Sequence, residues 1–303
     1  MSAVAGMLAT GVLAAACSPS TPAAAPGVVR LVAGEDPWGD IASQIGGAHV
    51  QVRSLIDDPN ADPHLYQSDL SDALAVAEAS VVIENGAGYD SFLAKMVAAT
   101  SHRGRVVVDV ARVLGAGASE VNPHLWYAVD LVPVVAGAIE AALAGADPAQ
   151  AAYFSTRLAT FDSSLSPLQS AISSIRDRYP AAPVAYTERV PGYLIAEAGL
   201  RDVTPLGFAT AVEDGNEPSP ADTAAMTRLI DSRAVRLLMF NVQTVSEVTD
   251  RIRALAQRRG IPVVGVSETI AAGYTSYQDW QLAQLQSISA ALADSPTSQG
   301  AAR

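Results

Sequence analysis

Two stretches of this chain carry the same chemical pattern, Asp62-Pro63-His64-Leu65-Tyr66 and Asn122-Pro123-His124-Leu125-Trp126. Each places a histidine directly after a proline and ahead of an aliphatic and an aromatic residue. Histidine is otherwise scarce, the chain's four being completed by His49 and His102. A neutral imidazole offers a lone pair to a metal ion, and a preceding proline restricts the backbone that must aim it. A lone loop histidine is ordinarily just solvated. Two of them in near-copies of one motif, 60 residues apart, are read together as two ligands of one divalent ion. Glu188, after Tyr186-Thr187, and Glu268, after Ser267, stand in comparable places, each just beyond an expected strand. Two imidazoles with two carboxylates form a mixed nitrogen and oxygen donor set. The two negative charges neutralise the ion, so a filled site could be buried. Asp57, Asp58 and Asp62 make the loop around His64 acidic, which attracts cations. His49 and His102 are expected to be surface residues.

The elements that must position these groups alternate. Strands are expected at 28–33, 50–55, 80–84 and 105–110, with helices at 38–45, 68–79 (Ser68 as cap) and 91–100 between them. A further helix is expected at 127–143. From Asp147-Pro148 a helical pattern runs to about Tyr179. Pro167 falls inside it and should kink it. The alternation then resumes, with strands at 183–186, 235–240 and 262–266. Helices are expected at 193–198, 220–232 (Ser219 as cap), 245–259 and 277–292, and a loop at 210–220. Alternating strands and helices predict an α/β fold of two βαβ-type lobes with mainly parallel sheets, whose polar loops follow the strands. The lobes are placed at 28–145 and 181–295, with a connector helix at 146–180 and a tail at 296–303.

Composition narrows the classes. The chain has 303 residues, enough for a large core. Acidic residues outnumber basic ones 31 to 19, for a net charge of −12, which argues against nucleic acid as a partner. Cys17 is the only cysteine, so no internal disulfide and no thiolate cage can form. It follows a short apolar stretch ending in Ala14-Ala15-Ala16 and precedes a Ser/Pro/Ala-rich segment, 18–27. This resembles a bacterial lipoprotein signal, with Cys17 the lipidated residue and 18–27 a flexible tether. The expected location is extracytoplasmic, anchored to the cell membrane by that lipid. No apolar run after residue 17 is expected to span a bilayer.

The ordered set Ile45-Gly46-Gly47, Asp62-Pro63-His64-Leu65-Tyr66, Glu84-Asn85-Gly86, Asn122-Pro123-His124-Leu125-Trp126, Tyr186-Thr187-Glu188 and Ser267-Glu268-Thr269 is similar to that of one family. These are the metal-binding solute-binding lipoproteins of bacterial ABC importers for manganese and zinc, of the cluster A-I type. The resemblance covers about residues 28–295. It implies a long rigid connector helix and a metal site at the lobe interface. It also implies one divalent ion as cargo and an ABC-transporter permease as partner, with the protein a monomer. His64 and His124 match the family's two N-lobe ligands, Glu188 its third and Glu268 its fourth, where Asp is usual. Asn122 stands where Asp is commoner. A carboxylate at the third position favours harder ions, so manganese is expected first, zinc next, with ferrous iron also compatible.

Two other classes fit part of the pattern. A secreted metal-dependent hydrolase could use the same four residues around an open coordination position. However, the chain lacks HExxH, G-x-S-x-G and a phosphate-binding glycine loop. A binding protein for an organic ligand or metal chelate would need a cleft rich in aromatics, which an aromatic content of 6% disfavours.

Overall fold

A computed structural model describes residues 27–116 and 121–295. Cys17, most of the expected tether and the tail 296–303 lie outside the described residues.

The first lobe runs β1 (Val29–Glu35), α1 (Asp36–Gly46), β2 (Val50–Ile56), α2 (Leu70–Glu78), β3 (Val81–Glu84), α3 (Ser91–Ala99), β4 (Val106–Asp109), α4 (Val110–Val113) and α5 (Val132–Ala146). The connector is α6 (Ala151–Ser164) followed by α7 (Ser166–Arg178). The second lobe continues with β5 (Pro183–Tyr186), α8 (Gly192–Glu197), β6 (Arg201–Asp202), α9 (Leu206–Glu213), α10 (Pro220–Asp231), β7 (Leu237–Asn241), α11 (Glu247–Arg258), β8 (Val263–Val266) and α12 (Tyr277–Asp294). The sheets are ordered β2-β1-β3-β4 and β6-β5-β7-β8, and every pairing is parallel. Chain direction across each sheet reverses between its second and third strands. In open α/β sheets the crevice beyond those carboxyl ends is where ligands sit.

Local sequence explains most boundaries and corrects some. Asp69, not Ser68, caps α2, its side chain accepting from the Asp72 backbone while Asp72 reciprocates at Asp69. Ser219 caps α10 as expected. The long connector helix is present as expected, interrupted close to where Pro167 was expected to kink it. It breaks at Leu165, and Pro167 sits in the first turn of α7, where its missing N–H is harmless. Asp147 gives no side-chain cap, and a short 3-10 turn, Pro148–Gln150, precedes α6. The helix expected from 127 begins only at Val132, after two 3-10 turns. The stretch Val129–Ala146 is apolar enough to span a bilayer by length and composition, contrary to expectation. Here it packs on β3, β4, α1 and α6 inside the first lobe.

The lobes share one apolar core, which runs from Leu31 of β1 to Leu292 of α12. Tyr127 meets Trp280 edge-on at 5.7 Å and donates to the Ser267 carbonyl, while Tyr277 donates to the Trp126 carbonyl. A polar seam reinforces this core. Asp36, Asp40 and Gln44 lie at i, i+4 and i+8 on one face of α1. The carboxylates of Asp36 and Asp40 accept from the backbones of Ile270 and Tyr277 at 3.0 and 2.8 Å. Gln44 and Gln278 exchange amide hydrogen bonds at 2.8 and 2.9 Å.

Candidate metal centre

The two Pro-His motifs use one local device. The residue before each proline is an Asp or Asn whose side-chain oxygen accepts from the histidine backbone, at 2.9 Å for Asp62 and 3.1 Å for Asn122. This Asx turn fixes the direction in which the imidazole leaves the chain. The motifs then diverge. Leu125 and Trp126 enter the shared core, and His124 is fully buried. Leu65 is 74% exposed, and Tyr66 packs on Phe92 and donates to Asp72. His64 therefore sits at the rim, with 24% of its side chain open to solvent.

From the second lobe, Glu188 follows β5 and Glu268 follows β8, and both are buried. Donor atoms of His64, His124, Glu188 and Glu268 all lie within 4.8 Å of one another. His64 Nε2 stands 2.9 Å from Glu188 Oε1 and 3.3 Å from Glu268 Oε2, and His124 Nε2 stands 3.2 Å from Glu268 Oε2. Atoms about 2.1 Å from a tetrahedral ion are roughly 3.4 Å apart, so this cluster has the scale of a coordination sphere. The structure thus brings together all four residues singled out in the sequence. His49 and His102 stay apart from them. Both are half-buried rather than fully exposed, His49 packing edge-on to Tyr153.

Neighbouring groups determine which atoms face inward. Asn122 donates from Nδ2 to the Arg189 carbonyl at 2.7 Å, so its Oδ1 faces His124 Nδ1 at 2.7 Å. A carbonyl oxygen can only accept, which puts the His124 proton on Nδ1 and leaves Nε2 to offer its lone pair. The Asn in place of Asp keeps this contact. Asn241, at the end of β7, donates to Glu188 Oε2 at 2.6 Å and Glu268 Oε1 at 2.8 Å. It accepts from the Gln243 backbone, which fixes its orientation. One oxygen of each carboxylate is thereby tied down, and the other faces the histidines. Tyr89 donates to Glu268 Oε2 at 2.7 Å and packs against both imidazoles. Burial, then Glu268, raises its phenol well above the ordinary value, so it remains a donor.

Charge is balanced by sharing. Burial alone would lower the pKa of His64, but its hydrogen bonds to Glu188 and then Glu268 outweigh burial and push it up to about 11. Burial also opposes ionisation of Glu268, yet the imidazoles of His124 and then His64 beside it hold its carboxyl well below the usual range. Glu188 is shifted the other way, raised by burial and by the Glu268 charge. In the metal-free protein His64 is a cation against an ionised Glu268.

Asn241, Tyr89 and Gln243 went unrecognised in the sequence. The one available signal was Asn241, a polar residue ending an otherwise apolar strand. Tyr89 and Gln243 lie in loops with no spacing that marks them.

Two parallel-sheet lobes on a helical connector, with a polar site at the strands' carboxyl ends between them, define a solute-binding protein fold. The sequence matches the family described as zinc-uptake complex component A, periplasmic, over residues 31–291, and the chain belongs to that family. It is a metal-binding solute-binding protein of the cluster A-I type and not an enzyme, which sets the hydrolase reading aside. Among similar proteins, the manganese-binding lipoprotein MntA of Bacillus subtilis is 28% identical over 121 residues, covering 38% of this chain and 39% of MntA. The fold is similar to the periplasmic zinc-binding protein TroA from Treponema pallidum. That structure gives a TM-score of 0.75 at 21% identity, covering 88% of this chain and 99% of TroA. It is also similar to the solute-binding protein FpvC from Pseudomonas aeruginosa in complex with Mn2+. There the TM-score is 0.73 at 22% identity, with coverage of 88% and 99%.

Proposed function

We propose that the protein captures a divalent transition metal outside the cytoplasm through His64, His124, Glu188 and Glu268 and hands it to an ABC-transporter permease. The observation that carries this is the convergence of four donor atoms, two from each lobe, within 4.8 Å. Cys17 serves as the lipid-bearing residue that keeps the carrier at the membrane. Manganese is the favoured cargo, because a carboxylate rather than an imidazole at Glu188 makes the set harder. MntA, described as manganese-binding, and FpvC, solved with Mn2+, are in keeping with this. Zinc is the second reading. Asn241 ties one oxygen of each carboxylate, which suits a four-coordinate ion, and the Irving–Williams order favours zinc over manganese at most sites.

Elemental analysis of protein purified without chelator should give one metal per chain. His64→Ala and Glu188→Ala should each remove most of it, and if both variants keep full occupancy the ligand assignment is wrong. Competition between manganese and zinc at buffered free concentrations ranks the two ions.

Gly192 offers a subtler test. A Cβ there would lie 2.7 Å from Asn122 Nδ2, so Gly192→Ala must displace the amide that orients His124. Loss of such an orienting partner reduces metal affinity by about 10- to 100-fold. Chelator competition should read a loss of that size, with one metal still bound at saturation.

A further inference from the structure

Gln243 lies in the loop after β7 and is buried, yet it is not among the metal donors. Its amide joins the two lobes. Oε1 accepts from the backbones of Glu268 at 2.6 Å and Thr269 at 3.2 Å. Nε2 donates to Thr269 Oγ1 at 2.8 Å, to the Ala61 carbonyl at 3.0 Å and to the Asp58 carbonyl at 3.3 Å. Two N–H groups face one end of the amide and two carbonyls face the other, so its orientation is forced. One end holds the main chain that presents Glu268. The other holds the 57–62 loop that leads into His64. Thr269 adds a longer contact from its hydroxyl to the Asp58 carbonyl at 3.5 Å.

His64 is the only one of the four donors with solvent beside it, so an ion between them meets water on the His64 side. We propose that Gln243 is the latch that shuts the His64 loop over the ion, a positioning residue that sets how long cargo is held. This rests on the metal-carrier reading above. The latch joins a first-lobe loop to a second-lobe strand end, and lifting that loop moves one donor while His124, Glu188 and Glu268 stay in place. Because the lobes are fastened elsewhere by the seam and the shared core, release through the loop requires no separation of the lobes.

Gln243→Glu separates the two ends of the latch. A carboxylate can still accept from Glu268 and Thr269 but has no hydrogen to give Asp58 and Ala61, so the loop end is lost selectively. Gln243→Met, of similar length and without polar atoms, removes both ends without adding charge. Metal release is followed by stopped flow with excess chelator, using zinc and manganese separately. Both variants should release metal about tenfold faster or more, with association within a fewfold of the parent. Hydrogen exchange should accelerate at residues 57–65 and not in the strands. If either variant fails to fold, Thr269→Val decides, since it removes the hydroxyl shared by Gln243 and Asp58, and several-fold faster release is expected. Release within twofold of the parent in the folded variants overturns the latch. The metal-carrier reading fails separately, if the unsubstituted protein binds no metal or His64→Ala leaves binding unchanged.

Discussion

Glu268→Gln is expected to abolish useful metal binding while leaving the fold intact. Glu268 Oε1 accepts from Asn241 and Thr244, and Oε2 faces Tyr89, His64 and His124. The amide must keep its oxygen toward the Asn241 donor, so its NH2 group turns into the site. A nitrogen carrying two hydrogens then occupies the place of a lone pair, one of the two neutralising charges is gone, and the amide can donate to an imidazole instead. Removing one partner from a buried charged set costs about 3–5 kcal/mol, or roughly two to four orders of magnitude in affinity. Calorimetry or chelator competition should read that loss, while the circular dichroism spectrum of the metal-free protein stays close to the parent and its thermal unfolding moves to lower temperature. Retention of affinity within tenfold would remove Glu268 from the site. Glu188→Gln should be damaging in the same sense, because Glu188 Oε2 is likewise held by Asn241.

Affinity is expected to rise about tenfold for each pH unit between pH 7 and 9. A histidine at its ordinary value would compete with the metal only as pH dropped through roughly 6.5. The two carboxylates change this, because against them the metal-free pKa of His64 is about 11. The proton is therefore still present at neutral pH and must leave as the ion enters. The sign for stability follows from the same shift. A histidine whose folded value is raised contributes stability that is complete below about 6.5 and is lost as pH rises through about 11. The metal-free protein should therefore weaken across that window, and the stabilisation conferred by metal should grow. Metal added to weakly buffered protein at pH 7.5 should release about one proton per ion. A flat affinity between pH 7 and 9, with no proton released, would mean that His64 is already neutral in the metal-free state.

Much of the architecture was legible because alternating apolar runs and glycine stops record strand and helix directly. What escaped did so for identifiable reasons. The segment 204–209 was assigned no element and 210–220 was read as loop, with the polar run after Val212 resembling one. In the structure Phe208, Ala209 and Val212 bury one face of α9 there. β6 has only two residues, both exposed, and no alternation to detect. The connector's interruption was signalled by Pro167, and only its position, at Leu165 rather than at the proline, was not. In the site, all four donors were visible because each follows an expected strand or a repeated motif. Their supports were not, since Tyr89 and Gln243 act across the lobe boundary and Asn241 joins two loops far apart in sequence. Which loop meets which is a tertiary fact with no local trace.

The polar stripe along α1 has a thermodynamic corollary. A binding protein that swings between open and closed forms realises only the fraction of its intrinsic affinity given by its closed population. Here Asp36, Asp40 and Gln44 hold the second lobe in register before any ion arrives. Capture therefore carries no penalty for bringing the lobes together, and the His64 proton is the competitor that remains. The same preorganisation works against unloading, because the empty frame has no lower-energy shape to relax into. Free energy for discharge must come from outside the molecule, from whatever surface docks against it. A carrier of this construction should accordingly show slow spontaneous loss of metal and nearly identical small-angle scattering profiles with and without it.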